Sequence, residues 1–321
     1  MPHSTYRLLW NISRHTMKDA TNMRTLVSER DHTLALRPAR MPEESVTVNI
    51  VRRIAVAAKR SPNIHAQAIL HTRALESGNN KVKNQSKADL ELTIRLGSYG
   101  YWNFALQAKS FRPADGRYRG WSALNNQILE KWAQQRRQTP AMLLYNEECH
   151  PFSPLATGTF GLCQLATHYE RNWHGNAATN QQKLNPLNAL TGTPAGISIC
   201  LLNSFTLLLN DPKPQDFQSQ HFPIEHLLHD SSCNNIAGGT PGSKPPNGSQ
   251  TAQPRLSLVE QVRPMNADSL PPWAKVLASF PNAENPSPRR LEDLEHNQQA
   301  AISADLEESG TKALIFLDLD I

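Results

Sequence analysis

An α/β fold is what this chain predicts, and three observations predict it. Apolar residues recur every four positions after Pro42, strict apolar and polar alternation flanks a Gly-Ser-Tyr-Gly turn at 97–100, and a second helical pattern leads into a continuous apolar run at 141–145. With a further strand pattern at 64–71, the order reads helix, strand, strand, strand, helix, strand, which describes a small α/β sandwich.

The first core helix rests on Val46, Ile50, Ile54 and Ala58, with Glu43 and Glu44 at its positive N-terminal end and Ser61-Pro62 as its stop. Residues 64–71 are apolar enough for a first strand, and 76–84 form a polar loop. In 87–96 the residues Ala88, Leu90, Leu92, Ile94 and Leu96 alternate with Asp89, Glu91, Thr93 and Arg95. The return strand puts Trp102, Phe104, Leu106 and Ala108 on one face, with Gln107 and Lys109 on the other. Centring the hairpin on Tyr99 pairs Leu90 with Ala108, Leu92 with Leu106 and Ile94 with Phe104, and sets Asp89 against Lys109 and Glu91 against Gln107. A one-residue slip would turn every apolar side chain of one strand to the polar face. After a basic loop at 112–120, the segment 122–138 places Leu124, Ile128, Leu129 and Trp132 on one helical face, with Gln127, Lys131, Gln134 and Arg137 elsewhere. Residues 141–146 then read as a buried strand.

The flanks are less regular. Residues 6–23 predict a short docking helix, and the polar, basic stretch to Arg40 a connector. The run 197–209 belongs to a core as a strand pair or a helix. The segment 238–250 is a low-complexity linker; Pro245 after Lys244, wrong spacing and the lack of a framing strand and helix exclude a phosphate-binding loop there. Residues 270–280 predict a short helix, 281–289 a connector followed by an acidic helix-prone stretch, and 313–321 an added edge strand with Asp318 and Asp320 as edge charges. The division expected is an arm and connector at 1–40, an α/β core at 41–150, an extension at 151–235, a flexible linker at 236–256, and short helices with a terminal strand at 257–321.

The chain has 321 residues, 39% of them apolar, with 23 prolines and a net charge of +5, which fits a globular core with long irregular segments and allows a polyanionic partner. Cys149, Cys163, Cys200 and Cys233 include no Cys-x-x-Cys pair, and their irregular spacing from His150, His168 and His174 argues against a zinc site. No secretory signal is visible, and the longest apolar run, 196–209, is too short to span a bilayer. A cytoplasmic protein with reduced thiols and no membrane partner is the expectation.

Two acids, an amide and a lysine at one end of a hairpin match the needs of metal-dependent phosphodiester hydrolysis: oxygen ligands for a divalent cation and a lysine to offset charge on the scissile phosphate. A solvated strand face carrying an Asp89–Lys109 ion pair of little energetic weight explains the same pattern.

Asp89 opening the second strand and Gln107-Ala108-Lys109 in the third, in this element order, resemble the PD-(D/E)XK nuclease superfamily, in the Gln-x-Lys form of Mrr-type restriction endonucleases. The local sequence is similar to an uncharacterised bacterial family built on that core, through Glu43-Glu44-Ser45-Val46-Thr47, Ala88-Asp89-Leu90-Glu91, Gln107-Ala108-Lys109, Tyr118, Gln127, Leu143-Leu144-Tyr145-Asn146 and Pro272-Trp273. The likeness covers residues 6–147 well and the remainder thinly. It implies a restriction-endonuclease-like core with a less regular C-terminal extension, Mg²⁺ or Mn²⁺ as cofactor, and DNA as partner. It further implies Asp89 as central metal ligand, Gln107 as a second through its amide oxygen, Lys109 at the phosphate, and a glutamate of the first helix, assigned to Glu44, completing the site. Neutral Gln107 removes a charge that Glu91 or Glu44 would have to replace. Arg112, Arg117, Arg119, Gln127, Lys131, Arg136 and Arg137 would contact the nucleic acid, mainly its phosphates. The alternative is a catalytically inactive descendant that binds nucleic acid or a protein partner.

Overall fold

The computed structural model describes residues 3–21, 24–28, 34–38, 40–60, 64–70, 86–97, 100–112, 114–146, 196–220, 222–226, 261–262, 264–279, 294–311 and 313–319. These form helices α1 (His3–Thr21), α2 (Glu43–Arg60), α3 (Ala123–Gln135), α4 (Pro272–Ser279) and α5 (His296–Ser309). The strands are β1 (Arg24–Ser28), β2 (Leu34–Pro38), β3 (Ile64–Leu70), β4 (Leu90–Leu96), β5 (Tyr101–Arg112), β6 (Arg117–Tyr118), β7 (Thr139–Tyr145), β8 (Ile197–Leu201), β9 (Phe222–Pro223) and β10 (Ala313–Leu319). Six cysteine and histidine positions weighed for zinc, Cys149, Cys163, Cys233, His150, His168 and His174, lie outside the described residues, as do Asp320, the linker 236–256 and the polar loop 76–84.

Among the described residues the architecture is α/β, with one mixed eight-stranded sheet in the order β3-β10-β4-β5-β7-β8-β9 and β6 paired to β5. Leu90, Leu92, Ile94, Trp102, Phe104, Leu106 and Ala108 lie in one buried cluster with Leu9, Ile12 and Met17 of α1 and Val46, Ile50 and Ile54 of α2. The alternate residues face the other way. Ala105, Phe111, Met142 and Leu144 pack with Leu129 and Ala133 of α3, while Ile69, Leu314 and Phe316 pack with Trp273 and Leu277 of α4 and Ile302 and Leu306 of α5. Helices therefore cover both faces of the sheet.

Four details depart from the sequence expectations. The hairpin register is Leu90↔Leu106, Leu92↔Phe104 and Ile94↔Trp102, two residues away from the pairing centred on Tyr99. A shift of two preserves the faces, so hydrophobic patterning alone could not distinguish the two registers. Strand β4 begins at Leu90 rather than Lys87, because Lys87 takes a left-handed φ of 60° and Ser86 is drawn to the end of α5 by hydrogen bonds to Ser309 O. The expected connector to Arg40 contains β1 and β2, an antiparallel two-stranded sheet of its own; with Leu26 and Val27 adjacent, its strands show little alternation. The terminal strand is not at an edge: β10 lies between β3, to which it is antiparallel, and β4, to which it is parallel. A strand covered on both faces reads as a continuous apolar run, which is what Ala313-Leu-Ile-Phe-Leu317 is.

Candidate active site

Strand β5 is twelve residues long and outruns β4 at its C-terminal end. The last ladder contact there is Asp89 N donating to Leu106 O at 2.8 Å. Beyond it, two carboxylates take the place of the missing strand. Ala108 N donates to Asp89 Oδ2 at 3.0 Å, and Ser110 N donates to Glu43 Oε2 at 2.9 Å. These amides are two residues apart on one edge of an extended strand, about 7 Å along it. The turn at Lys87 carries the preceding chain off the ladder and leaves that edge to side chains. Glu43, the first residue of α2, then reaches the next open amide.

The same end of β5 carries Lys109 and Gln107. Lys109 is only 8% exposed, and its Nζ lies 3.9 Å from Glu43 Oε1. Extended by one residue, the β4–β5 register sets Asp89 against Gln107 instead of against Lys109. Gln107 is buried, and its Oε1 has no hydrogen-bond partner among the described residues. A buried amide oxygen without a donor costs roughly 1–3 kcal/mol, and Asn126 Oδ1 and Gln138 Oε1 share that state among the described residues. The polar face of the hairpin is thus an interior face, not the solvated one that the ion-pair explanation requires. Below it, the buried Tyr145 phenol is pushed well above its ordinary range by burial, with the carboxylates of Glu43 and Asp89 adding to the effect. Both acids therefore act on one point.

Two acids named from the sequence sit elsewhere. Glu44 is exposed on α2, and its neighbour Glu43 reaches the strand; successive helical residues point about 100° apart, so only one of the pair can face β5. Glu91 is 1% exposed and occupied by the C-terminal segment: Oε2 accepts from Gln138 Nε2 at 2.7 Å and Trp273 Nε1 at 2.8 Å, and Oε1 from Thr311 Oγ1 at 3.3 Å. Burial raises its pKa, against the opposing pull of Arg136. It is a packing carboxylate one turn of the ladder away from the cluster.

No protein-family model, no curated protein and no solved structure matches this chain.

The basic residues divide. Arg112, Gln127, Lys131 and Arg137 are exposed. Arg117 donates to Asp211 O, Arg119 pairs with Asp115 at 2.8 Å and Asp211 at 3.5 Å, and Arg136 is held by Asp305 and by Glu308 at 3.0 Å. Arg136 ties α3 to α5 and is not a surface contact. On α3 itself the buried residues are Asn126, Leu129, Trp132 and Ala133, whereas Leu124 is exposed; Asn126 turns inward to donate to Thr206 O and Leu207 O.

Among the described residues no group of three or more His, Cys, Asp or Glu side chains is placed to hold a metal ion. The cluster at the end of β5 is of another composition: two carboxylates, one unsatisfied amide oxygen and one ammonium. Hard oxygen donors of this kind suit Mg²⁺ or Mn²⁺, which retain several waters and need only one or two carboxylates from the protein. The sequence named Asp89, Gln107 and Lys109, which the structure brings to one end of β5, and assigned the helix glutamate to Glu44, whereas Glu43 is the one that reaches the strand; Thr47 and Tyr145 were not named as site residues. The amide-bearing edge of β5 is open there because β4 begins only at Leu90. No helix among the described residues is long and apolar enough to cross a membrane.

Proposed function

We propose that the chain is a metal-dependent endonuclease-like protein that hydrolyses DNA phosphodiester bonds on a restriction-endonuclease-like core. The observation that carries this reading is the convergence of Asp89, Glu43, Lys109 and the unsatisfied Gln107 Oε1 at the overhanging end of β5. Asp89, Glu43 and Gln107 would hold Mg²⁺ or Mn²⁺, which supplies charge neutralisation on the phosphate and a bound water of lowered pKa. The backbone amides of Ala108 and Ser110 orient the two carboxylates and leave them little rotational freedom. Lys109, nearly buried beside Glu43, presents its ammonium where negative charge builds up on the phosphate oxygens, and its low exposure strengthens that interaction relative to water. Arg112, at the end of the same strand, and Lys131 on α3 are exposed cations suited to phosphates of the duplex.

The neutral amide of Gln107, where a third acid would raise metal affinity, favours a second reading: a module of this fold that binds nucleic acid or a protein partner without cutting. Cleavage of supercoiled, linear and single-stranded DNA with Mg²⁺ and with Mn²⁺, by wild type and by Lys109→Met, separates the two. The proposal expects metal-dependent nicking that falls by at least about a hundredfold in the variant. Wild type that binds DNA and never cuts it transfers the assignment to the binding module.

A further inference from the structure

The geometry points to Tyr145 as a positioning residue: acting through Thr47, it locks the first turn of α2 against β5 and so sets the Glu43 carboxylate at the end of the strand. The inference rests on the reading of Glu43 as a site residue, and its structural content can be measured apart from any chemistry.

Four contacts close a ring. Parallel pairing of β5 with β7 puts Ser110 beside Tyr145. The Tyr145 hydroxyl lies 2.7 Å from Thr47 Oγ1, and Thr47 Oγ1 donates to Glu43 O at 3.1 Å. Glu43 Oε2 in turn accepts from Ser110 N. Each hydroxyl has one hydrogen. With that of Thr47 given to the Glu43 carbonyl, Tyr145 must be the donor to Thr47, so the phenol has to stay protonated. Complete burial of Tyr145, with the carboxylates nearby, keeps it so.

The ring sits where a tie is needed. A carboxylate on a helix and an amide on a strand stay at hydrogen-bond distance only if the helix cannot slide along the strand. The residues just before α2 are fixed from the same place, since Arg40 Nη2 donates to Asn146 O at 2.9 Å, next to Tyr145 in the chain. Asn146 is itself held by Tyr118 Oη and by Ser198 Oγ, so the end of β7 is a firm anchor. Through its hydroxyl Tyr145 links that anchor to the turn that carries Glu43.

The test is amide hydrogen exchange on the full-length protein, with Tyr145→Phe, Thr47→Val and Thr47→Ser compared with wild type. Ser110 N–H reports the Glu43 contact; Phe104 and Leu106 report β5 as a whole. Tyr145→Phe and Thr47→Val are expected to speed Ser110 exchange at least about tenfold with Phe104 and Leu106 unchanged, and Thr47→Ser to restore protection. Unchanged Ser110 protection in Tyr145→Phe, or equal loosening of all three amides, overturns the positioning role. Mn²⁺ half-saturation of the thermal shift, measured in parallel, is expected to rise several-fold in the two variants that speed Ser110. If wild type shows no Mn²⁺ shift, the metal reading fails, while the Ser110 result still decides the role of Tyr145.

Discussion

Asp89 and Glu91 show how two carboxylates two residues apart on one strand meet different surroundings. Asp89 accepts from a strand-edge amide, whereas Glu91 accepts from Gln138, Trp273 and Thr311 inside the protein. Burial raises the Glu91 pKa above its ordinary 4.5, so the native state binds its proton more tightly than the unfolded chain does. Between 4.5 and that higher folded value the native state holds more protons, and its stability falls as pH rises through the window. Chemical denaturation at pH 5 and pH 7.5 should show that slope in wild type and a weaker one in Glu91→Gln, which retains an oxygen for Trp273 and Gln138. Glu91→Ala strands all three donors and should cost about 3 kcal/mol or more. Metal-dependent cleavage should be unaffected by Glu91→Gln, because the side chain does not reach the end of β5. From the sequence, alternation placed Asp89, Gln107 and Lys109 on one face correctly. It could not separate Asp89 from Glu91, since the partners that claim Glu91 come from residues 138, 273 and 311. Nor could it choose Glu43 over Glu44, which depends on the rotational setting of α2.

At the scale of elements, α2, β4, β5 and α3 were legible from their periods and β3 and β7 from short apolar runs, while register and neighbours were not. The start of β5 also carries a contact from outside the hairpin. Gly100 takes a φ of +113°, and a Cβ there would lie 2.7 Å from Met265 O. That close approach lets Tyr101 and Met265 exchange backbone hydrogen bonds of 2.9 and 2.8 Å, which dock the 264–270 segment on the start of β5. Gly100→Ala combines an unfavourable backbone conformation with a backbone overlap and should cost about 2 kcal/mol or more, read as a drop of several degrees in Tm. The same change in metal-dependent cleavage should be small, since Gly100 is at the opposite end of β5 from Lys109. The misplacement of Leu124 has a similar source: a polar residue, Asn126, finds two backbone acceptors in the 206–208 turn, and the helix rotates to meet them.

Taken whole, the molecule closes its sheet with its last strand. Ala313–Leu319 fills the space between β3 and β4, so the strands nearest the candidate site depend on a segment more than two hundred residues away. A chain ending at residue 311 should therefore lose cooperative unfolding by circular dichroism, and a normal transition for it would contradict the observed order. Such non-local pairing is what single-sequence periodicity cannot supply: it identifies a strand but not its neighbours. At this scale too, DNA binding through exposed cations such as Arg112 and Lys131 should weaken steeply with salt, with a log–log slope of about −0.9 for each phosphate neutralised. The measurement that bears most directly on the proposed site is Mn²⁺-supported DNA cleavage by Glu43→Gln and Glu44→Gln beside wild type. The proposed function predicts that Glu43→Gln loses at least about a hundredfold in rate while Glu44→Gln stays near wild type. Loss confined to Glu44→Gln, or no cleavage by wild type with any divalent metal, would contradict it.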